Sequence, residues 1–288
     1  MEHIRQAIER AKGAQAAAPQ PHGPMASPLQ QTLGTQIPVG AGIAQSRSVV
    51  LNPAHLESRR IVSHDIVDAR SKSFDMLRTQ VLQSMDLKSW QLLAVTSPTA
   101  ACGKTTISVN LALSIARQPH RSVLLVDLDL QRPEVANTLG LKCDRGLVTV
   151  LEGKASLHDV LIQAHVGQEN FLVLPCANST LKSSAWMASQ AMAALLQQIK
   201  RDFRAWTVIL DLPPILTSDD VISILPQVDS VLFVAAAGAS TLAEIKECNR
   251  HLQSSSIVRV VLNKAADTTT KYYSRYAYGS PTHVKAAV

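Results

Sequence analysis

Apolar positions along the chain follow two different periods. Short, nearly continuous runs of Val, Leu and Ile predict strands buried on both faces of a sheet; they lie at residues 92–96, 122–127, 171–174, 206–210, 230–235 and 257–262. Apolar residues spaced three or four positions apart predict amphipathic helices; they lie at residues 68–85, 105–116, 157–163, 184–203, 219–225 and 242–253. A short strand and a turn are predicted at 48–56. We therefore predict an α/β fold, with a mostly parallel sheet covered by helices on both faces.

The two ends of the chain have a different character. Residues 1–12 carry apolar residues on one helical face and predict a short amphipathic helix, either a frayed terminus or a docking peptide. Residues 13–47 are rich in Ala, Gln, Pro and Gly and predict a flexible linker. We expect one ordered domain over residues 48–265, followed by a flexible tail over residues 266–288.

Bulk composition limits the cellular setting. No apolar run approaches the ~20 residues that span a bilayer, and the N-terminal segment lacks the apolar core of a signal peptide, so we expect a cytoplasmic protein. The four cysteines have no metal-site or disulfide spacing. The net charge of +6 would suit an anionic partner, but aromatic residues make up only 4% of the chain. We therefore expect attraction to a membrane-bound partner or acidic lipid, and no nucleic acid.

The strand at 92–96 leads into the loop SPTAACGKTT, which has the features of a phosphate-binding loop. Its backbone N–H groups and the following helix N-terminus would face one anion. Lys104 would contact the β- and γ-phosphates, and the Thr105 hydroxyl would bind Mg²⁺. Pro98 stands where the usual G-x-x-x-x-G-K-[ST] motif begins with glycine. The predicted nucleotide-binding residues are Ala100, Ala101, Cys102, Gly103, Lys104, Thr105 and Thr106.

Three carboxylates follow predicted strands. Asp127 and Asp129 end the run VLLVDLD, and Asp211 ends VILD. Ligands of parallel sheets bind at the carboxyl ends of the strands, and carboxylates there are compensated by a lysine and a magnesium-bound triphosphate. The alternative is that individual aspartates cap a helix or close a turn. One Mg-ATP site explains all three together.

Every tyrosine of the chain lies in one short segment of the predicted tail, YYSRYAY. A core role does not suit this segment, because its flanks are rich in Gly, Ser, Pro and Thr. A flexible tail would let each phenol enter an active site. The candidate phosphoacceptors are Tyr272, Tyr273, Tyr276 and Tyr278.

The order GKTT, VLLVDLDLQRP, VILDLPPILTSDD and VVLNK resembles the bacterial tyrosine kinases (BY-kinases) of capsule and exopolysaccharide export, which are P-loop ATPases of the deviant-Walker type. The similarity covers roughly residue 49 to the C-terminus. It implies a protein-tyrosine kinase that uses ATP and Mg²⁺, phosphorylates its own tyrosine cluster, and regulates polysaccharide polymerisation or export. The chain lacks the H-R-D and D-F-G motifs of the eukaryotic kinase fold.

The resemblance also implies residue roles. Lys104 and Thr105 match the Walker A motif, Asp127 and Asp129 the Walker A′ pair, and Asp211 the Walker B aspartate. The implied catalytic residues are Lys104, Asp127, Asp129 and Asp211, with Asp127 or Asp129 as the base. The implied magnesium ligands are Thr105, Asp127 and Asp211. Asn263 is expected to face the adenine.

The chain departs from the family pattern at three places. Ala100 and Ala101 replace the usual Pro-Gly of the loop, and Gln131 replaces the Walker A′ arginine. The family's ring-forming motif E-x-x-R-x-x-R aligns with Lys72, Asp75 and Arg78, and only its final arginine remains.

The resemblance implies several partners. These are a membrane-spanning polysaccharide chain-length regulator that activates the kinase at the inner face of the membrane, a phosphotyrosine phosphatase, and further copies of the chain acting in trans. Two alternatives remain open: a nucleotide-binding scaffold of the same fold with little kinase activity, and a partitioning or positioning ATPase.

Overall fold

The computed structural model describes residues 46–253 and 255–265. The predicted N-terminal helix, nearly all of the predicted linker and the tyrosine tail lie outside these residues and stay predictions. No helix in the described ranges is both long and apolar enough to cross a bilayer.

The strands form one sheet in the order β1-β4-β5-β3-β6-β2-β7-β8. In the part of the chain that the structure describes, neighbouring strands run parallel except for β4 with β5. The strands are β1 (Arg47–Val50), β2 (Leu92–Thr96), β3 (Val123–Asp127), β4 (Ile162–Val166), β5 (Glu169–Leu174), β6 (Thr207–Asp211), β7 (Ser230–Ala236) and β8 (Ile257–Asn263).

Helices connect the strands and cover the sheet. They are α1 (Pro53–Ser58), α2 (Ser71–Lys88), α3 (Lys104–Ala116), α4 (Val135–Leu139), α5 (Leu147–Leu151), α6 (Leu157–Val160), α7 (Ser183–Met187), α8 (Gln190–Asp202), α9 (Asp220–Ile224) and α10 (Leu242–His251), with a 3-10 turn at Leu225–Gln227. The bounds of α3, β2, β3, β6 and β7 lie within one residue of the sequence predictions.

Two apolar layers hold the helices to the two faces of the sheet. In β2, Leu92 and Ala94 face the layer that contains α8 and α9, whereas Leu93 and Val95 face the layer that contains α2 and α3. This division follows from the two-residue period of a strand. The predicted α/β fold with a mostly parallel, doubly covered sheet is confirmed.

Two predicted helices are wrong in extent. The helix predicted at 157–163 ends at Val160, and β4 begins at Ile162. Strand β4 was missed because only its alternate residues are fully buried, so it lacks the continuous apolar run of the central strands. The helix predicted at 184–203 is split into α7 and α8, because Ser189 caps α8 by accepting a hydrogen bond from Met192 N at 3.1 Å.

Asp229 fixes the start of β2, the strand that enters the phosphate loop. Its Oδ2 accepts hydrogen bonds from Gln91 N at 2.9 Å and Leu92 N at 2.7 Å, and its Oδ1 lies 2.8 Å from Lys200 Nζ. Burial alone would raise the pKa of this carboxyl, but the hydrogen bonds from Leu92, Lys200 and Gln91 outweigh burial and lower it. The charged form is therefore the one that the fold stabilises.

We predict that Asp229→Asn lowers the free energy of unfolding by about 1–3 kcal/mol at pH 7, because a partly buried ion pair to Lys200 is broken and the hydrogen bonds to the start of β2 lose their charged acceptor. The pKa of Asp229 is lower in the folded chain than in the unfolded chain, where it is about 3.9. The stabilisation of the fold by the Asp229 carboxylate is therefore complete above the unfolded-state pKa and is lost as the pH falls through the folded-state pKa. Denaturant titrations at pH 7 and near pH 3 measure this difference.

The exposed Asp144 supplies a matched control. Asp144→Asn removes the same charge from the surface and should change stability by less than about 0.5 kcal/mol. If the free energies of unfolding of Asp229→Asn and the parent chain differ by as much near pH 3 as at pH 7, the assigned role of the carboxylate is wrong.

Candidate active site

The strand order brings the predicted chemical groups together. Strands β3, β6 and β2 are adjacent, so their carboxyl ends lie side by side. Asp127 at the end of β3 is paired in register with Asp211 at the end of β6. The phosphate loop leaves β2, the neighbour of β6 on the other side. Parallel pairing therefore assembles three distant sequence segments at one edge of the sheet.

The phosphate loop spans the gap between β2 and α3. Two of its residues have left-handed backbone conformations, Ala101 at φ 60° and Gly103 at φ 91°. Ser97 Oγ closes the loop's first turn by donating to Thr99 O at 2.8 Å. Lys104 then begins the 13-residue helix α3, whose N-terminal dipole end and N–H groups favour an anion. Left-handed residues of this kind occur in the backbone nests that bind anions.

Lys104 makes the central ion pair of the site. Its Nζ lies 2.8 Å from Asp129 Oδ2, and both side chains are largely buried, with exposed fractions of 13% and 6%. Burial alone would lower the pKa of Lys104, but the carboxylates of Asp211 and Asp129 outweigh it, so the pKa is raised and the ammonium stays charged.

Asp211 is held by two hydroxyl groups of α3. Thr105 Oγ1 donates to Asp211 Oδ2 at 2.6 Å, and Ser108 Oγ donates to Asp211 Oδ1 at 2.9 Å. Burial raises the pKa of Asp211 despite the opposing effects of Lys104 and the two hydroxyls. Sequence reasoning missed Ser108, although it lies three residues after Thr105 and therefore on the same helical face.

Asp127 is fully buried, and its carboxylate faces the backbone of the following segment. It accepts hydrogen bonds from Asp129 N at 3.2 Å and Val135 N at 3.0 Å. Burial raises its pKa well above the ordinary value, and the nearby Asp211 raises it further. Asp127 thus contributes negative charge to the site while it also shapes the loop that carries Asp129.

The charges of the site fit a divalent cation. Three buried carboxylates surround one lysine, so the site has a surplus of negative charge that a cation would neutralise. No cluster of His, Cys, Asp and Glu side chains in the described ranges is arranged to hold a metal by itself. At nucleotide sites, Mg²⁺ takes one or two protein ligands and completes its shell with phosphates and water. Thr105 and Asp211 are suitably placed protein groups.

The loop after β3 is tied to the start of α9 by contacts that the sequence analysis did not predict. Gln131 Nε2 donates to Asp220 Oδ2 at 3.2 Å, and Ser184 Oγ donates to Asp220 Oδ1 at 2.7 Å. Arg132 N donates to Asp129 Oδ1 at 3.0 Å. Gln131, which stands at the position of the Walker A′ arginine, therefore links the loop after β3 to the start of α9.

The remaining predicted binding residues lie in or against the phosphate loop. Ala100 is exposed at the loop surface, whereas Cys102 is buried. Thr106 O accepts a hydrogen bond from Asn110 Nδ2 at 2.9 Å, within α3. Asn263 Nδ2 donates to Cys102 O at 2.9 Å. The tyrosines that were predicted as phosphoacceptors lie outside the described residues.

The residues at the ring-motif positions make contacts inside this chain. Asp75 Oδ1 accepts hydrogen bonds from Arg78 at 3.0 Å and from Ser114 Oγ at 2.6 Å, and it also pairs with Arg117. Arg78 donates in addition to Ser114 O at 3.0 Å. This network joins α2 to α3, the helix that follows the phosphate loop.

Comparisons with known proteins identify the family of the chain. A family model described as an AAA domain matches residues 91–256, more than half of the chain. The putative tyrosine-protein kinase EpsB of Ralstonia nicotianae is 30% identical over 231 residues, which are 78% of this chain and 29% of EpsB. The chain therefore spans less than a third of that relative's length.

One shorter relative and one solved kinase domain match over more of their own length. Tyrosine-protein kinase CpsD of Streptococcus agalactiae is 26% identical over 225 residues, which are 75% of this chain and 95% of CpsD. The solved kinase domain of the Escherichia coli tyrosine kinase ETK superposes with a TM-score of 0.62 at 27% identity, covering 74% of this chain and 82% of that one. We conclude that the chain belongs to the AAA-domain family, in the group of bacterial tyrosine kinases.

Proposed function

We propose that the protein is a tyrosine autokinase, which transfers the γ-phosphoryl group of Mg-ATP to its own tyrosine cluster. The observation that carries this proposal is the constellation of Lys104, Asp129, Thr105 and Asp211 around the phosphate loop. The similarity to proteins named tyrosine-protein kinases supports it. The cluster Tyr272, Tyr273, Tyr276 and Tyr278 supplies the acceptors.

Nucleotide binding would rearrange the charges that the structure pairs internally. The loop amides and the α3 N-terminus would hold the β- and γ-phosphates. Lys104 would exchange its contact with Asp129 for the phosphate oxygens. Thr105 and Asp211 would hold the magnesium ion, whose chemistry is to neutralise charge on the phosphates. The side chains of Lys104 and Asp129 are largely buried, and charge contacts are strong in such surroundings.

The exchange of partners by Lys104 frees a carboxylate for proton transfer. The phenol oxygen forms a new bond to the γ-phosphorus while the bond between that phosphorus and the β,γ-bridging oxygen breaks, which releases ADP. The phenolic proton passes to Asp129 or Asp127. Asp127 has the raised pKa that suits a base, and Asp129 is the carboxylate that Lys104 would release.

The polysaccharide setting belongs to the same proposal. We infer that the kinase is recruited to the inner face of the membrane by a membrane-spanning chain-length regulator, which activates it, and that a phosphotyrosine phosphatase reverses its reaction. Autophosphorylation would control polymerisation or export of an exopolysaccharide. The net charge of +6 suits an acidic lipid surface or an anionic partner near the membrane.

A second candidate function is a nucleotide-binding scaffold with little kinase activity. Ala101 has φ 60°, a conformation in which an L-residue costs about 1–2 kcal/mol relative to one without strain. Strain in the loop that binds phosphate would weaken nucleotide binding. The loop would then have the shape typical of the family but bind nucleotide more weakly.

We predict that the purified chain, incubated with Mg-ATP, acquires phosphate on Tyr272, Tyr273, Tyr276 or Tyr278. Lys104→Met should abolish this labelling, because it removes the only ammonium within reach of the three carboxylates in the described site. Phosphotyrosine mapping by mass spectrometry measures the outcome, with and without the cytoplasmic segment of a chain-length regulator.

Lys154 provides the control for this experiment. Its ammonium pairs with Glu152 on the exposed surface, so Lys154→Met should leave labelling unchanged. ATP binding without phosphotyrosine under either condition would support the scaffold and overturn the kinase. Steady ATP hydrolysis stimulated by DNA or lipid would support the positioning ATPase.

We predict that Ala101→Gly relieves the strain of the phosphate loop. Glycine adopts positive φ freely but is more flexible when unfolded, so the net gain is about 1 kcal/mol, roughly a fivefold decrease in the Kd for ATP. Strain that is present with and without nucleotide would appear instead as a higher Tm. Calorimetry and thermal melting of the same samples separate these two contributions.

Ala100→Gly is the matched control, since Ala100 is the preceding residue and is not among the residues with positive φ. It should leave Kd and Tm the same or slightly worse. If Ala101→Gly changes neither quantity, the assigned strain at Ala101 is wrong.

A further inference from the structure

The end of β8 contacts the phosphate loop from outside the catalytic cluster. Asn263, the last residue of β8, donates from Nδ2 to the carbonyl oxygen of Cys102 at 2.9 Å. Cys102 and Asn263 are 161 positions apart in the sequence. The contact therefore depends on β8 lying beside β7, which in turn pairs with β2.

A turn after β7 supports the same part of the loop. Ala237 N donates to Asn263 O at 2.8 Å, and Ala236 N donates to Ser240 Oγ at 2.9 Å. Ser240 Oγ lies 3.6 Å from Cys102 Sγ. Asn263 and Ser240 thus approach Cys102 from two sides, one at its carbonyl and the other at its side chain.

Gly103 is fitted to the Asn263 side chain. A Cβ added at Gly103 would overlap Nδ2 of Asn263, and its φ of 91° is itself unfavourable for other residues. Two features therefore favour glycine at this position: the positive φ of the backbone and the close approach of the Asn263 amide. The close approach shows that the Asn263 amide is in direct contact with the loop at Gly103.

The hydrogen bond from Asn263 determines which way one peptide unit points. The C=O of Cys102 and the N–H of Gly103 belong to the same planar trans peptide and point in opposite directions. Because Asn263 holds the carbonyl on its own side, the Gly103 N–H is directed away from Asn263. An N–H that is held in a fixed direction by such a contact needs no reorganisation when it meets an anion.

We propose that Asn263 is a positioning residue of the phosphate loop, which fixes the Cys102–Gly103 peptide and so strengthens the binding of phosphate whatever base the nucleotide carries. This proposal rests on the nucleotide-binding step of the proposed function. It differs from the expectation that Asn263 faces the adenine, because a contact to the base would act on adenine nucleotides alone.

The test compares ligands that share the phosphates and differ in the base. Calorimetry measures the Kd of the full chain for Mg-ATP, Mg-GTP and tripolyphosphate. Asn263→Ala should weaken the binding of all three by the same factor, about fivefold, as expected for the loss of one hydrogen bond. Asn263→Asp has the same size but cannot donate to the Cys102 carbonyl, so it should weaken all three by at least as much.

Leu262→Ala is the control for a general disturbance of β8, because Leu262 is adjacent in sequence and its side chain is exposed. It should leave the three Kd values unchanged. Thermal melting of each variant establishes that it is folded at the temperature of the titrations.

The outcomes separate this proposal from the proposed function. Loss of ATP affinity in Asn263→Ala with unchanged affinity for tripolyphosphate would overturn the positioning role and assign the residue to the base. Unchanged affinity for all three ligands, or an equal loss in Leu262→Ala, would also overturn it. If the parent chain binds neither ATP nor tripolyphosphate, the proposed function itself fails and the positioning role fails with it.

Discussion

A buried surplus of negative charge at the carboxyl edge of the sheet is the constraint that the rest of the structure must accommodate. Asp127, Asp129 and Asp211 are almost fully buried around a single ammonium, that of Lys104. Uncompensated charge of this kind opposes folding, and the raised pKa values of Asp127 and Asp211 express that cost. A site of this kind is stabilised by a ligand that brings positive charge and takes over the lysine, and magnesium triphosphate has both properties. The same buried negative charge therefore opposes folding and favours the binding of magnesium triphosphate.

The apolar layers and anchors of the fold keep these charges in place. The strands β3, β6 and β2 are buried on both faces, which leaves their ends little freedom to separate. Asp229 fixes the start of β2, and the hydrogen bonds of Asp75 join α2 to α3. Each contact lies away from the reacting groups, yet each holds an element that carries one of them. These contacts hold the strands and helices in place, and so they keep the three carboxylates close together although their charges repel one another.

Sequence reasoning succeeded where one physical signal dominated. The central strands were predicted to within one residue because two-sided burial requires continuous apolar runs. The juxtaposition of Lys104, Thr105 and Asp211 was predicted because the segments that carry them lie at the carboxyl ends of parallel strands, and their chemical roles stay predictions. Strand β4 was missed because its half-exposed surface dilutes the apolar signal. Ser108, Asp220 and Ser184 were missed because their roles arise from tertiary contacts between distant segments. The direction of the Asn263 side chain likewise depends on strand order, which periodicity does not encode.

Two of the three departures from the family pattern have different structural consequences. Gln131 stands where the family has an arginine, and its amide donates a hydrogen bond to Asp220. Ala101 affects the backbone instead, because positive φ is a property of the backbone that no neighbouring side chain can supply. Its strain is tolerable only if surrounding contacts over-determine the loop. Ser97, Ser240 and Asn263 make those contacts from within the loop, from the turn after β7 and from the end of β8. The contacts around the phosphate loop thus hold its shape more than its own sequence does.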